Sequence, residues 1–243
     1  MDYPLIFYIL LLVVAFLYAS VGHGGASGYL ALMALFSISP DMMKPTALVL
    51  NLLVSVIAFV QFYKEKHFKW AIFWPLALGS VPLAFWGGTI HIDPILYKKI
   101  LGVLLLFPII RLLFFQGIEK TVQKPASLFP SLAMGSSIGF VSGLIGIGGG
   151  ILLSPLLVLL RWTDQKQTAA ISSLFIFVNS MAALTGQISS GVQLNYDMAI
   201  LIIIAFIGGL IGSYFGAKRF PQNTLKYILA LVLGIAALKL LVV

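Results

Sequence analysis

Long apolar runs separated by short polar stretches follow one another along the whole chain. A helix that crosses a membrane needs about 20 mostly apolar residues, and the chain holds ten runs of helical character. Their predicted bounds are 4–21, 24–38, 45–63, 70–90, 95–115, 129–146, 149–161, 168–189, 196–217 and 223–243. The pattern predicts an all-α polytopic membrane protein.

The longest polar stretch, 116–128, divides the chain into two halves of similar length. We interpret 1–115 as a first transmembrane repeat, 116–128 as a cytoplasmic linker and 129–243 as a second transmembrane repeat. Landmarks other than leucine recur in the same order in both halves. The matching stretches are Gly22–Gly25 with Gly146–Gly149, Lys44–Ala47 with Lys166–Ala169, and Gly79–Gly87 with Gly208–Gly216. These landmarks indicate an internal duplication, because leucine-rich helices alone resemble one another by chance.

Composition agrees with a membrane protein. The chain is 60% hydrophobic and only 9% charged, too few charges for a water-facing surface. A net charge of +8 would suggest a nucleic-acid partner in a soluble protein, but here the basic residues lie in short loops, so the partner is a lipid bilayer. The chain has no cysteine, which excludes disulfides and cysteine-ligated metals. We expect no cofactor and no metal.

The basic loops also predict orientation. If three full crossings follow the second segment of each half, most cations reach one side, which the positive-inside rule makes cytoplasmic. These are Lys64, Lys66, Lys69, Arg111, Lys120, Lys124, Arg161, Lys166, Lys218 and Arg219. Lys44, Lys98 and Lys99 reach the other side. The two repeats are then inverted in the cell (inner) membrane, with both termini outside. This holds if the first two segments of each half both cross or form a re-entrant hairpin, and it fails if the pair makes only one crossing.

The second segment of each half is short and follows a glycine cluster. This pattern is typical of a broken or re-entrant helix, and paired breaks in two repeats indicate a transporter's binding site. A helix N-terminus presents unpaired N–H groups and the positive end of the helix dipole, which suits an anion. Close helix packing is the alternative explanation for glycines. It fits Gly87–Gly88 and Gly208–Gly209 better than Gly146–Gly150.

The second break carries a family resemblance. The stretch Gly143–Pro155 (GLIGIGGGILLSP) resembles the signature of the TauE/SafE sulfite exporter family, also called the toluene sulfonate uptake permease family. Thr168–Ser180 is similar to that family's following helix. The first half has a weaker copy, in which Ala26 replaces the third glycine and His23 intrudes. The resemblance implies a secondary transporter, an exporter, of sulfite, thiosulfate or organosulfonates such as sulfoacetate.

Neutral polar side chains inside apolar segments are further candidates for substrate contact. Asparagine, serine and glutamine can donate to oxyanion oxygens, although they can equally bond neighbouring helices. Together with the two breaks they form the predicted site, and no catalytic residue is assigned. Its members are Gly22, His23, Gly24, Gly25, Asn51, Gly146, Gly148, Gly149, Gly150, Ser172, Ser173, Asn179 and Gln187.

Ionisable side chains are scarce at membrane depth. His23 is the only one that the sequence places deep in the membrane, which suits proton coupling or anion recognition. All seven acids lie at segment ends or in loops, which argues against a cation substrate. Because Lys and Arg are also missing from mid-segment positions, we expect dipoles and neutral donors to hold a small anion. Such a site favours monovalent or diffuse anions.

Three other functions fit parts of the pattern. An anion channel would use the same gated site. Gly25–Gly28 matches the Gly-x-Ser-Gly pattern of intramembrane serine proteases, with Ser27 as nucleophile and His23 one turn away, but no later segment supplies a buried histidine base. A membrane subunit without transport is the third. Substrate, transport direction, coupling to protons and formation of a homodimer remain open.

Overall fold

The computed structural model describes residues 3–20, 26–114, 126–193, 196–216 and 222–242, and ten α-helices form there. The helices are α1 (Leu5–Ser20), α2 (Ala26–Leu35), α3 (Pro40–Lys64), α4 (Trp70–Thr89), α5 (Pro94–Phe114), α6 (Leu128–Ile145), α7 (Gly150–Leu159), α8 (Gln165–Ser189), α9 (Tyr196–Gly216) and α10 (Gln222–Val242). Each predicted segment corresponds to one helix, so the all-α class is confirmed. Most of the linker, residues 116–125, lies outside the described residues.

Two helices begin earlier than the apolar pattern predicted. The prediction started α3 at residue 45, but it begins at Pro40, with Asp41 in its first turn. Proline is tolerated at a helix start, and an acid there meets the positive end of the dipole. The prediction started α8 at residue 168, but Asp164 caps it by accepting from the Gln167 N–H at 2.8 Å. Proline and an acid favour the start of α3, and a polar cap favours that of α8, and an apolar window misses both signals.

The helices differ in whether they can cross a membrane. Four of the described stretches are long and apolar enough to do so: Pro40–Lys64, Trp70–Thr89, Leu128–Ile145 and Lys166–Ser189. Helices α2 and α7 have only 10 residues each, fewer than predicted, and therefore span about 15 Å. That is about half of the roughly 30 Å hydrocarbon core. Residues Ala26 to Ala34 of α2 are all buried, so protein rather than lipid surrounds this short helix.

Helix ends match between the two halves. A residue with positive φ follows α2, α3, α7 and α8, each time two positions after the last helical residue. These residues are Ser37, Lys66, Arg161 and Gly191. The next N–H donates to a carbonyl five residues back, at 3.0 Å after α2 and α7 and at 3.2 and 3.1 Å after α3 and α8. Because this Schellman-type ending recurs at equivalent places, the halves share one helical plan.

Several helices of one half pack mainly on helices of the other half. Helix α4 packs on α6, and its counterpart α9 packs on α1, while α3 packs on α8 and α5 on α10. Helices α4 and α6 are parallel, because Leu76, Ser80 and Ala84 oppose three glycines spaced by four. These glycines are Gly135, Gly139 and Gly143, and a Cβ on any of them would lie within 2.3 Å of the opposing carbonyl oxygen. Backbone contact of this kind requires small residues.

Of the four glycines predicted to serve close helix packing, three do so. A Cβ at Gly87 would lie 2.5 Å from the Phe140 oxygen, and at Gly88 it would lie 2.3 Å from the Ala183 oxygen. Gly208 meets α1 in the same way. For Gly209 the prediction was wrong, since its nearest neighbour outside its own helix backbone is a side-chain carbon at 3.9 Å.

Candidate functional site

The second glycine break connects α6 to α7 through a left-handed turn. Gly146 ends α6 with φ of 87°, and Gly148 and Gly149 follow with φ of 71° and 77°. Side chains rarely adopt these values, so three glycines of the break are required by the backbone path. Gly149 is the residue that precedes the first turn of α7, and no side chain caps this helix. The break therefore delivers a bare helix N-terminus into the protein interior.

Backbone donors are unpaired at this N-terminus. The N–H groups of Leu152 and Leu153 both donate to the Gly149 oxygen, at 3.1 and 3.0 Å. Within the described part of the chain, the N–H groups of residues 148–151 donate to no acceptor. Unpaired N–H groups together with the positive end of the dipole attract an anion. This geometry agrees with the kind of site that the sequence predicted at Gly146, Gly148, Gly149 and Gly150.

Polar side chains from two other helices converge on the break. A Cβ built on Gly148 would lie 2.8 Å from Asn51 Nδ2, on α3, and 3.0 Å from Ser180 Oγ, on α8. A Cβ on Gly149 would lie 3.4 Å from the Cβ of Ser142, on α6. Helices α3, α6, α7 and α8 thus meet at one point, where a side chain on Gly148 would displace the amide of Asn51.

The converging groups lack hydrogen-bond partners. Among the described residues, the buried side-chain atoms without a partner include Asn51 Nδ2, Ser55 Oγ, Ser142 Oγ, Asn179 Oδ1 and Ser180 Oγ. Each of these residues is at most 4% exposed. Buried polar atoms in folded proteins nearly always have a partner, and leaving one unmade costs about 1–3 kcal/mol. So many unpaired buried polar atoms on three adjacent helices are typical of a ligand site.

Other predicted residues have different neighbours. Ser172 Oγ lies 2.9 Å from Ser154 Oγ, whose hydroxyl also donates to the Gly150 oxygen at 2.7 Å. Ser172 therefore supports the first turn of α7. Ser173 donates to the Ala170 oxygen at 2.8 Å within its own helix, so its hydroxyl is already used. Both serines lie on α8 near the break, but only the first one contacts α7.

Two amides on α8 complete the predicted set. Asn179 donates from Nδ2 to the Phe175 oxygen at 2.8 Å, which leaves its Oδ1 as an unpaired acceptor. Gln187 is 3% exposed, and neither its Nε2 nor its Oε1 has a partner in the described part of the chain. Because it lies eight residues beyond Asn179, about 12 Å along the helix axis, it is not part of the cluster at Gly148.

The first break cannot be compared with the second. Gly22, His23, Gly24 and Gly25 all lie outside the described residues, and their assignment to the site stays a prediction. The described chain resumes at Ala26, the first residue of α2. Among the described residues no group of three or more His, Asp or Glu side chains could hold a metal ion.

Two residues near the break escaped the sequence analysis. Ser142 lies one turn before the break, where its carbonyl accepts from the Gly146 N–H at 2.8 Å. A serine within an apolar run beside a glycine cluster was the available signal. Lys44 was placed in an external loop, and this was wrong: it lies in α3, only 9% exposed. His23 is therefore not the only candidate for a buried ionisable group, and the Pro40–Asp41 helix start was the missed signal.

Comparison with known proteins gives one consistent result. The family described as "Sulfite exporter TauE/SafE" matches residues 7–240. A protein of Sinorhizobium fredii named "Probable membrane transporter protein y4hK" is 38% identical over 233 residues, covering 94% of each chain. A probable membrane transporter protein of Methanocaldococcus jannaschii is 26% identical, covering 96% of this chain and 94% of that protein.

A plant relative carries the family's name. "Sulfite exporter TauE/SafE family protein 1" of Arabidopsis thaliana is 30% identical over 97 residues, 40% of this chain and 21% of that protein. No solved structure matches the chain. The family match covers nearly all of the described helices, and the resemblance seen at Gly143–Pro155 is confirmed. The chain therefore belongs to the TauE/SafE sulfite exporter family of membrane transporters.

Proposed function

We propose that the protein is a secondary transporter that exports small sulfur-containing oxyanions, such as sulfite, thiosulfate or sulfoacetate. The observation that carries this proposal is the convergence of unpaired buried donors on the N-terminus of α7. Asn51 Nδ2 and Ser180 Oγ lie against Gly148, Ser142 packs on Gly149 through its Cβ, and the N–H groups of residues 148–151 are unpaired within the described part of the chain. The names of the family and of its plant relative support the sulfur oxyanion as substrate.

The donor set suits an anion that must be bound and then released. Sulfite, thiosulfate and sulfonate groups each present several oxygens, which accept hydrogen bonds from amide, hydroxyl and backbone N–H groups. A helix N-terminus contributes about 0.3–1 kcal/mol to an anion, and up to about 2 kcal/mol when partly buried. These contributions are moderate, so the anion can leave once the site opens to the other side of the membrane.

The transport cycle that we propose is alternating access between inverted repeats. Its support is the five-helix plan of each half, the exchange of packing partners between halves and the parallel run of α4 and α6. An odd number of crossings per repeat inverts the second repeat relative to the first. The first break, Gly22 to Gly25, then supplies the opposite side of the same site. Both termini lie outside, and the linker 116–128 lies in the cytoplasm of the cell that holds the protein in its inner membrane.

Flux through the purified protein tests this proposal. The full chain is placed in liposomes, and uptake of labelled sulfite is measured against competing thiosulfate, sulfoacetate, sulfate and phosphate. We expect thiosulfate and sulfoacetate to compete, and sulfate and phosphate to compete poorly. Stronger competition by phosphate or sulfate would contradict the proposed substrate class. Accumulation against a sulfite gradient when a proton gradient is imposed would distinguish a coupled transporter from a channel.

A further inference from the structure

A buried lysine lies beside the second break on the side away from α7. Lys44 is in the second turn of α3, and its Cα lies 3.1 Å from where a Cβ on Gly146 would be. The residue is 9% exposed although its side chain ends in an ammonium group. Burying an ammonium is costly unless a negative charge or strong acceptors offset the loss of hydration.

Lys44 forms no ion pair with a carboxylate among the described residues, although the charge of Asp41 acts on it from one turn earlier. The ion pair found there joins His67 Nε2 to Glu65 Oε2 at 3.3 Å, and Asp41, one turn before Lys44, is exposed. The ammonium instead lies over an aromatic ring, with Nζ 5.1 Å from the centre of Tyr97. A cation–π contact of this kind contributes less than an ion pair with a desolvated anion. The buried cation is therefore only partly compensated.

Tyr97 connects the lysine to the break. Its ring is fully buried, and its hydroxyl donates to the Ile145 oxygen at 3.0 Å, at the last residue of α6. Gly146 follows directly, so the ring beneath the ammonium is attached to the turn that leads into α7. The lysine, the tyrosine and the glycine turn form one packed unit.

The lysine and the anion site lie on one face of α3. Lys44 and Asn51 are seven positions apart, which is two turns and about 10.5 Å along the axis. On the facing chain, Gly146 contacts the first of them and Gly148 the second. The lysine side chain has a flexible stem of four carbons, so its ammonium, carried on a backbone that contacts Gly146, can act electrostatically on an anion at Gly148.

We infer that Lys44 is the cationic anchor of the anion site and gives it a preference for divalent over monovalent organosulfonates. This inference rests on the proposed function. It replaces the expectation of a monovalent preference, which assumed that no cation lies within the apolar segments. A single positive charge attracts a dianion about twice as strongly as a monoanion at the same distance. Lys44 thus sets the selectivity of the site for the charge of the anion, and not only its affinity.

Two sulfonates of different charge test the inference. Methanesulfonate is a monoanion and sulfoacetate is a dianion at pH 8, and both present the same sulfonate group. Their dissociation constants are measured by calorimetry on the purified full chain in nanodiscs. We expect wild type to prefer sulfoacetate. Lys44→Met should weaken methanesulfonate about tenfold and sulfoacetate about a hundredfold, so that the preference falls about tenfold.

Two further variants separate charge from structure. Lys44→Arg keeps the charge and should keep the preference. Lys99→Met removes an exposed lysine from α5, two residues after Tyr97, and should leave the preference unchanged. Binding of neither sulfonate, sulfite nor thiosulfate by wild type would overturn the proposed function and this inference with it. Binding with equal affinity for both sulfonates in wild type, or an unchanged preference in Lys44→Met, would overturn only the role of Lys44.

Discussion

Residues at the second break either adopt an unfavourable backbone conformation or leave a buried polar atom unpaired. Folding alone explains neither. Three glycines adopt positive φ, and several buried donors around them lack partners. Each unpaired buried donor destabilises the fold by about 1–3 kcal/mol, so their concentration at one point is best explained by binding of a ligand. Removing such a donor should then have opposite effects on stability and on binding.

Asn51→Leu tests this opposition. Leucine has a similar size and removes the unpaired Nδ2, so we expect thermal stability in detergent to stay equal or to rise. Binding of sulfite should weaken about tenfold or more, because one charge-assisted hydrogen bond is lost. Ser173→Ala is the control, since that hydroxyl already donates within its own helix and should affect binding little. Unchanged sulfite affinity in Asn51→Leu would remove Asn51 from the site.

Gly148→Ala should destabilise the protein more than its backbone strain alone requires. The substitution forces alanine to φ of 71° and brings its Cβ to 2.8 Å from Asn51 Nδ2 and 2.9 Å from Ile176 Cγ2. Strain costs about 1–2 kcal/mol and crowding adds about 1–3 kcal/mol. Gly191→Ala separates the two effects, because φ there is 95° and no atom of the described residues lies within 4 Å of the Cβ. Equal losses of thermal stability in the two variants would contradict the crowding.

Part of the site could be predicted from the residues alone. Asn51 and Asn179 are conspicuous because a polar amide inside an apolar segment requires an explanation. Gly146 to Gly150 are conspicuous because so many glycines disfavour a continuous helix. Lys44 was not predicted, since its position depends on where α3 begins. Its contact with Tyr97 joins residues 53 positions apart along the chain (97 − 44), which no local pattern reveals.

Among the elements, helix number and type follow from apolar periodicity, while helix ends follow from local chemistry. The ten apolar runs gave ten helices, because burial in protein or lipid stabilises any apolar run with satisfied backbone. The starts of α3 and α8 were missed because Pro40 begins α3 and Asp164 caps α8, and an apolar window reads both residue types as loop. Packing between α4 and α6 was not predicted, since glycine spacing does not identify the partner helix.

Gly139→Ala tests how closely α4 and α6 are packed. The added Cβ would lie 2.3 Å from the Ser80 oxygen, so the two backbones must separate. We expect a loss of several kcal/mol, seen as a lower thermal unfolding temperature in detergent or as failure to assemble. Gly234→Ala, in α10, has nothing within 4 Å of its new Cβ and should be tolerated. Equal stability of the two variants would contradict the tight contact.

For the whole molecule, the sequence predicts a duplication, and helices at corresponding places in the two halves can be compared. Lengths of corresponding helices agree, with 10 residues for α2 and α7 and 25 for α3 and α8. Whether the two halves are inverted or parallel was inferred from the basic residues in the loops, which is a statistical signal. Orientation across the membrane therefore remains a prediction, and it can be tested at equivalent positions.

Glu65 and Ser190 directly follow α3 and α8 as their C-terminal capping residues, so they occupy equivalent places in the two halves. Because the chain has no cysteine, Glu65→Cys and Ser190→Cys can be labelled without background. In intact cells, a thiol reagent that cannot cross the membrane should label Ser190→Cys and not Glu65→Cys. Labelling of both from the same side would show that the repeats are parallel. Both variants should react after the cells are opened, which controls for access.

The carbonyl contacts between α4 and α6 also limit which parts can move. One helix comes from each half, and a motion carrying the first half past the second would have to pull these backbones apart. Helices α5 and α10 likewise pack mainly on each other across the halves. In the proposed cycle, any rigid body should thus contain helices from both predicted repeats. The unit that repeats along the chain is then different from the body that moves.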